Sequence, residues 1–120
     1  MLRTGVDIIE VARVERVMAR SGRRFLARIF TPQEQAYCRG RIASLAGRFA
    51  VKEAVAKALG TGIGETTWVE IEIVSDNMGH PELVLHGAAK RLADQLGLVE
   101  WSISLSHTEN YAIGFAVALG

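Results

Sequence analysis

Apolar positions recur along this chain with two different periods, and the switches between them outline its elements. Gly5-Val6-Asp7-Ile8-Ile9 reads as a short first strand. Val11, Val14, Val17 and Met18 then recur at helical spacing, with Arg13, Arg16 and Arg20 among them, and Ser21-Gly22 marks the end of that helix. Phe25, Ile29 and Phe30 predict a second short helical stretch. Thr31-Pro32-Gln33-Glu34 is a helix start: Thr31 caps, Pro32 suits the first turn, and Glu34 completes a capping box. The longest helix is predicted over residues 42–59. Leu45, Phe49, Ala56 and Leu59 form an apolar stripe on it, while Ala46, Ala50, Ala54 and Ala58 form a small-residue stripe that lets a neighbour approach closely. Gly60 stops it, and a glycine-rich loop follows.

Beyond that loop the period shortens. Residues 68–74 alternate as a strand, with Val69, Ile71 and Ile73 on one face, and Asp76 to Pro81 forms a turn before a short strand over 82–85. An amphipathic helix is predicted over 87–96 on Ala88, Leu92 and Leu96. Trp101, Ile103 and Leu105 alternate with Ser102, Ser104 and Ser106, and residues 111–119 form a last strand, apolar on both faces except at Gly114. Helices gather early and strands late, which predicts an α+β fold with helices packed on an antiparallel sheet. With 120 residues, a single domain spanning 1–120 is expected.

Composition narrows the class. Hydrophobic residues make up 49% against 22% charged, which argues against disorder, and the net charge of +1 carries no global nucleic-acid signature. The one cysteine, Cys38, precludes an intrachain disulfide and fits a reducing compartment. The start carries no signal-peptide apolar stretch, and no run of about 18 apolar residues occurs, so a cytoplasmic protein without a membrane span is expected.

Asp7 is the first chemical anomaly, a carboxylate between Val6 and Ile8. It is costly to bury there unless it is paired, caps the next segment or binds a metal. Glu53 and Lys57 lie four apart on one face of the long helix, as do Arg48 and Lys52. Surface ion pairing explains such spacing cheaply, yet this helix is so rich in alanine that its charges can equally face a site. Gly60-Thr61-Gly62-Ile63-Gly64 can bring backbone amides near a phosphate, but it follows a helix and lacks a Walker lysine. His107 is either an anion contact or an exposed hairpin residue, while His80 and His86 read as surface residues. Arg13, Arg16, Arg20, Arg23 and Arg24, with Met18 and Phe25, form a basic patch with apolar content. That patch is a solvated face or a docking surface for an acidic partner.

In combination these segments resemble the holo-acyl-carrier-protein synthase family of phosphopantetheinyl transferases, in its short single-domain branch. Gly5-Val6-Asp7-Ile8 is similar to the family's amino-terminal motif. Phe25 with Arg28 to Thr31 and Glu34 resembles its second landmark. Leu45 to Ala54, Lys57-Ala58 and Gly60-Thr61-Gly62 resemble its long signature, and Ser106-His107-Thr108 before Tyr111-Ala112 its last motif. The resemblance implies transfer of 4′-phosphopantetheine from coenzyme A to a serine of an apo-acyl carrier protein, in support of fatty acid synthesis. It implies magnesium held by Asp7 and Glu53, with Glu53 and Lys57 catalytic. Arg48, Lys57, Gly60, Thr61, Gly62 and His107 become coenzyme A contacts, with Arg39 and Arg41 considered for the 3′-phosphate. Arg13, Arg16, Met18, Arg20 and Phe25 become the carrier docking surface, and the assembly a homotrimer with active sites between subunits. Magnesium favours one or two carboxylates plus substrate phosphate, which agrees with an acid pair drawn from a strand and a helix. A carrier-binding module without chemistry and a small nucleic-acid-binding protein are the competing readings.

Overall fold

The computed structural model describes residues 1–60 and 66–120. Strand β1 (Leu2–Glu10) runs directly into helix α1 (Val11–Ile29), followed by α2 (Pro32–Cys38) and α3 (Ile42–Leu59). A 3₁₀ turn at Trp68–Glu70 leads into β2 (Ile71–Ser75), β3 (Pro81–Leu85), α4 (Gly87–Leu96), β4 (Glu100–His107) and β5 (Tyr111–Leu119). The architecture is α+β, and every strand pairing described is antiparallel. The strands divide into a three-stranded sheet, β1-β5-β4, and a two-stranded one, β2-β3. The first and last strands are neighbours along their whole length, from Leu2 opposite Leu119 to Glu10 opposite Tyr111.

Helix α3 lies on the larger sheet, and its small-residue stripe is what allows this. Ala46, Ala50, Ala54 and Ala58 are completely buried. The sheet answers with glycine: a Cβ at Gly114 would overlap the backbone of Ala50 and Val51, and one at Gly5 would overlap the Ala54 carbonyl. Gly47 of the helix meets the Leu105 side chain of β4, less tightly. From start to end, α3 therefore crosses from β4 over β5 to β1, and finishes beside the strand that carries Asp7. Val51, Val55 and Leu59 pack with Ile71, Ile73, Ala89 and Ala93 on one side. Leu45 packs with Val14, Ile29, Phe30 and Cys38 on the other.

Some expected boundaries move, each for a visible reason. The two helical stretches expected around Ser21 are both present within α1, and helical geometry breaks between them at Ser21 (φ −147°, ψ 37°), a kink at a Ser-Gly pair. Residues 68–70 form a 3₁₀ turn instead of the start of a strand, because Glu70 accepts from the Thr67 backbone and caps it. Arg48 and Lys52 do not sit on a solvated face. Both side chains are buried, and Lys52 pairs with Glu34 at 2.8 Å. Glu34 does form the expected capping box with Thr31, and in addition accepts from the Ile73 amide.

Candidate active site

Alternation along β1 turns Gly5, Asp7 and Ile9 toward α3 and leaves Val6 and Ile8 exposed. Asp7 thereby meets the last turns of α3. The Lys57 ammonium donates to Asp7 Oδ1 and to the Val6 carbonyl, both at 3.0 Å. Lys57 thus pairs across to β1, and not with Glu53 one turn back along its own helix. Glu53 stands next to this pair. Burial pushes its carboxyl above the usual range, the Asp7 charge adds to the push, and Lys57 and Arg13 oppose it.

Asp7 and Glu53 open onto a groove of about 790 Å³ between β1, α1 and α3. Arg13, Arg24 and Arg28 line it, and Phe25, Phe49 and Trp68 form an apolar wall. Those rings pack on one another, Phe25 on Phe49 at 5.9 Å and Phe49 on Trp68 at 5.0 Å. Acid pair, arginines and aromatic wall together suit a ligand that carries phosphate at one end and an apolar arm along its length. The acid pair also fits magnesium. Burial and the Asp7 charge both raise the Glu53 carboxyl pKa, an effect a divalent cation would offset, and among the described residues no third acid, histidine or cysteine joins them to build a closed transition-metal site.

Arg48 is elsewhere. It lines a second cleft of about 470 Å³ with Tyr37, Ser75, His80 and Ser104. Leu105, also in that cleft, pairs with Gly114, which in turn pairs with Asp7. The two sites are thus separated by two strand spacings, about 10 Å. His107 is exposed at the end of β4, the edge of the larger sheet opposite β1. Gly60 closes α3 in the left-handed conformation (φ 86°), which is the helix-stop role expected of it. Thr61 and Gly62 lie outside the described residues. Arg41 is occupied in holding the end of α2, donating to the carbonyls of Cys38 and Tyr37.

The basic face of α1 divides. Arg16 and Arg20 are exposed and stand clear of the groove, whereas Arg13 lines it. Phe25 is part of the groove wall, and Met18 is half-buried against the α1 side of the core. Sequence reasoning missed the groove roles of Arg24, Arg28, Phe49 and Trp68, and it missed Tyr37 and Ser75 beside Arg48. Helical spacing alone places Arg24 and Arg28 together with Phe25 on one face, so that signal was available. The partnership of Tyr37 with Ser75 crosses between elements and leaves no local trace.

Residues 3–116 match the 4′-phosphopantetheinyl transferase superfamily. The chain is 48% identical to the holo-[acyl-carrier-protein] synthase of Herpetosiphon aurantiacus, with all of both chains covered. It is 51% identical to that of Moorella thermoacetica, covering 98% of this chain and 93% of the relative. Among solved structures, the holo-[acyl-carrier-protein] synthase of Helicobacter pylori in complex with coenzyme A superposes with a TM-score of 0.89 at 35% identity, covering 97% of this chain and 99% of that one. With its α+β architecture, its long alanine-rich helix laid on β1 and β5, and likeness over its whole length, the chain belongs to the 4′-phosphopantetheinyl transferase superfamily.

Proposed function

We propose that this chain is a cytoplasmic holo-acyl-carrier-protein synthase, moving 4′-phosphopantetheine from coenzyme A to a serine of an apo-acyl carrier protein and so supporting fatty acid synthesis. Asp7 and Glu53 facing one groove, with Lys57 paired to Asp7 beside it, carry this reading. The names and the coenzyme A complex of its relatives support the choice of substrates. No helix among the described residues is long and apolar enough to cross a membrane.

Asp7 and Glu53 would hold magnesium, which when bound offsets the negative charge that grows on the phosphates during transfer. The carrier serine Oγ attacks the phosphorus that bears pantetheine. A new O–P bond forms, the bond to the bridging oxygen breaks, and adenosine 3′,5′-bisphosphate departs with that oxygen. The serine proton is taken up by a water held at the acid pair, or by Glu53 through it. Lys57, more than half exposed, can turn from Asp7 to the pyrophosphate and act there as a point charge. Release of adenosine 3′,5′-bisphosphate should require both magnesium and apo-carrier. Release without the carrier would make the chain a hydrolase, and coenzyme A binding without release would leave a binding module.

Arg48 lines a separate cleft and His107 does not line the groove of the acid pair, an arrangement that suits sites completed between subunits. The outer face of the larger sheet supports a homotrimer. Val6 pairs with Phe115 and Ile8 with Ile113 across β1 and β5, and all four remain at least 40% exposed. Such an apolar face is unusual on a sheet that meets water. Phe115→Asp should give a monomeric mass by light scattering, with loss of transfer. An unchanged mass would exclude this face as the contact.

Carrier docking is assigned to α1. Because Arg13 also lines the groove, the cleaner test reverses Arg16 and Arg20 to glutamate. The KM for the acidic carrier should rise, while that for coenzyme A stays put. The wild-type rate at low carrier concentration should fall as salt rises from about 0.05 to 0.5 M, because screening weakens steering. Unchanged carrier kinetics in the double reversal would place docking elsewhere.

A further inference from the structure

Helix α3 buries two cations one turn apart, and the surroundings treat them differently. Lys52 is wholly buried and its charge is neutralised: Nζ donates to Glu34 Oε1 at 2.8 Å, to the Ile71 carbonyl at 2.6 Å and to the Trp68 carbonyl at 3.0 Å. Arg48 is only 4% exposed, yet among the described residues no carboxylate lies within ion-pair reach of it. Its contacts among the described residues are neutral. Nη2 donates to Ser75 Oγ at 2.8 Å, the guanidinium carbon lies over the Tyr37 ring at 4.1 Å, and Nε is buried with no acceptor among the described residues. A buried cation without a counter-charge is costly to maintain. It opens onto a cleft with no carboxylate among its lining residues.

We propose that Tyr37 and Ser75 are positioning residues, fixing the Arg48 guanidinium by neutral contacts so that its charge stays available to a phosphate group of coenzyme A. The proposal rests on the assignment of Arg48 to coenzyme A. An aromatic face holds a planar guanidinium flat, and one hydroxyl fixes its rotation within that plane. A carboxylate in place of Ser75 would hold Arg48 more tightly but would cancel the charge the ligand needs. The Tyr37 phenol senses the arrangement: hydrogen bonding with Ser75 and the neighbouring Arg48 charge bring it below its ordinary value. Tyr37 is half-exposed and belongs to the short α2, so it contributes little to the core.

The test is a kinetic double-mutant cycle with coenzyme A and apo-carrier. Tyr37→Ala should raise the KM for coenzyme A about tenfold, the scale of a desolvated cation–ring contact. The kcat, the carrier KM and the melting temperature should hold. Tyr37→Phe, which keeps the ring, should remain close to wild type. Ser75→Asp should raise the coenzyme A KM as far as Arg48→Ala does, and it settles the matter if Tyr37→Ala proves unstable. In the Arg48→Ala background, Tyr37→Ala should add nothing. If Arg48→Ala raises the KM but Tyr37→Ala and Ser75→Asp do not, or if the effects simply add, the positioning role is wrong while Arg48 remains a ligand. If Arg48→Ala leaves the KM unchanged, the assignment of Arg48 itself is wrong, and the proposal falls with it.

Discussion

Asp7→Asn and Glu53→Gln should each lower transfer by at least about 10²-fold, the scale seen when one preorganised electrostatic contact is removed from a reaction centre. Both keep shape and remove the hard anionic oxygen that magnesium requires. Neither should unfold the protein. Asp7 is only partly buried, and Glu53 is destabilised as an anion by burial and by Asp7, so neutralising it relieves strain in the absence of metal. Glu53→Gln should therefore melt no lower than wild type without magnesium, and should lose the stabilisation that magnesium with coenzyme A gives the wild type. Activity near wild type in either variant at limiting magnesium would remove that residue from the metal site.

The largest loss of stability is expected at Glu34. Its Oε1 accepts from Lys52 and from the Thr31 amide, and Oε2 accepts from the Ile73 amide, so one carboxylate ties α2, α3 and β2 together. Glu34→Ala leaves the buried Lys52 ammonium hydrogen-bonded to carbonyls only, with Glu72 the one remaining acid that acts on it. Removing one partner of such a pair costs about 3–5 kcal/mol, a large share of the roughly 5–15 kcal/mol that holds a domain folded. The denaturant midpoint should fall accordingly. The pH dependence has a definite sign. Burial already lowers the Lys52 pKa and Glu34 opposes that, so the variant's folded value falls further. Where the folded pKa lies below the unfolded one, the unfolded chain binds more protons, and stability rises with pH across that window. Glu34→Ala should therefore recover part of its loss as pH climbs toward the ordinary lysine range. A midpoint shift within the error of the wild type would show the pair to be dispensable.

Much of this was legible in the chain itself, and the reasons are local. The alanine period in α3, the strand alternation over 101–106 and the Thr31 capping box each follow from neighbours a few residues apart, and the structure keeps all three. Asp7 stood out because a carboxylate among β-branched residues needs a partner, and the partner proved to be Lys57. What sequence missed depends on distant segments. The helical spacing of Lys52 and Arg48 leaves surface and site both open, and only the packing of β2 and α2 against α3 shows them to be buried. The capping role of Glu34 was visible, whereas its second role as the Lys52 counter-ion joins residues 18 apart through the fold. Ser21-Gly22, by contrast, has the composition of a helix end, and helical geometry does break there.

The most direct measurement is the intact mass of an apo-acyl carrier protein after incubation with this chain, coenzyme A and magnesium. The carrier should gain the mass of one 4′-phosphopantetheine on a single serine, and should gain nothing when magnesium is chelated or when Asp7→Asn replaces the wild type. An unmodified carrier with the wild-type chain, magnesium and coenzyme A all present would contradict the assignment of Asp7, Glu53 and Lys57 to phosphopantetheine transfer.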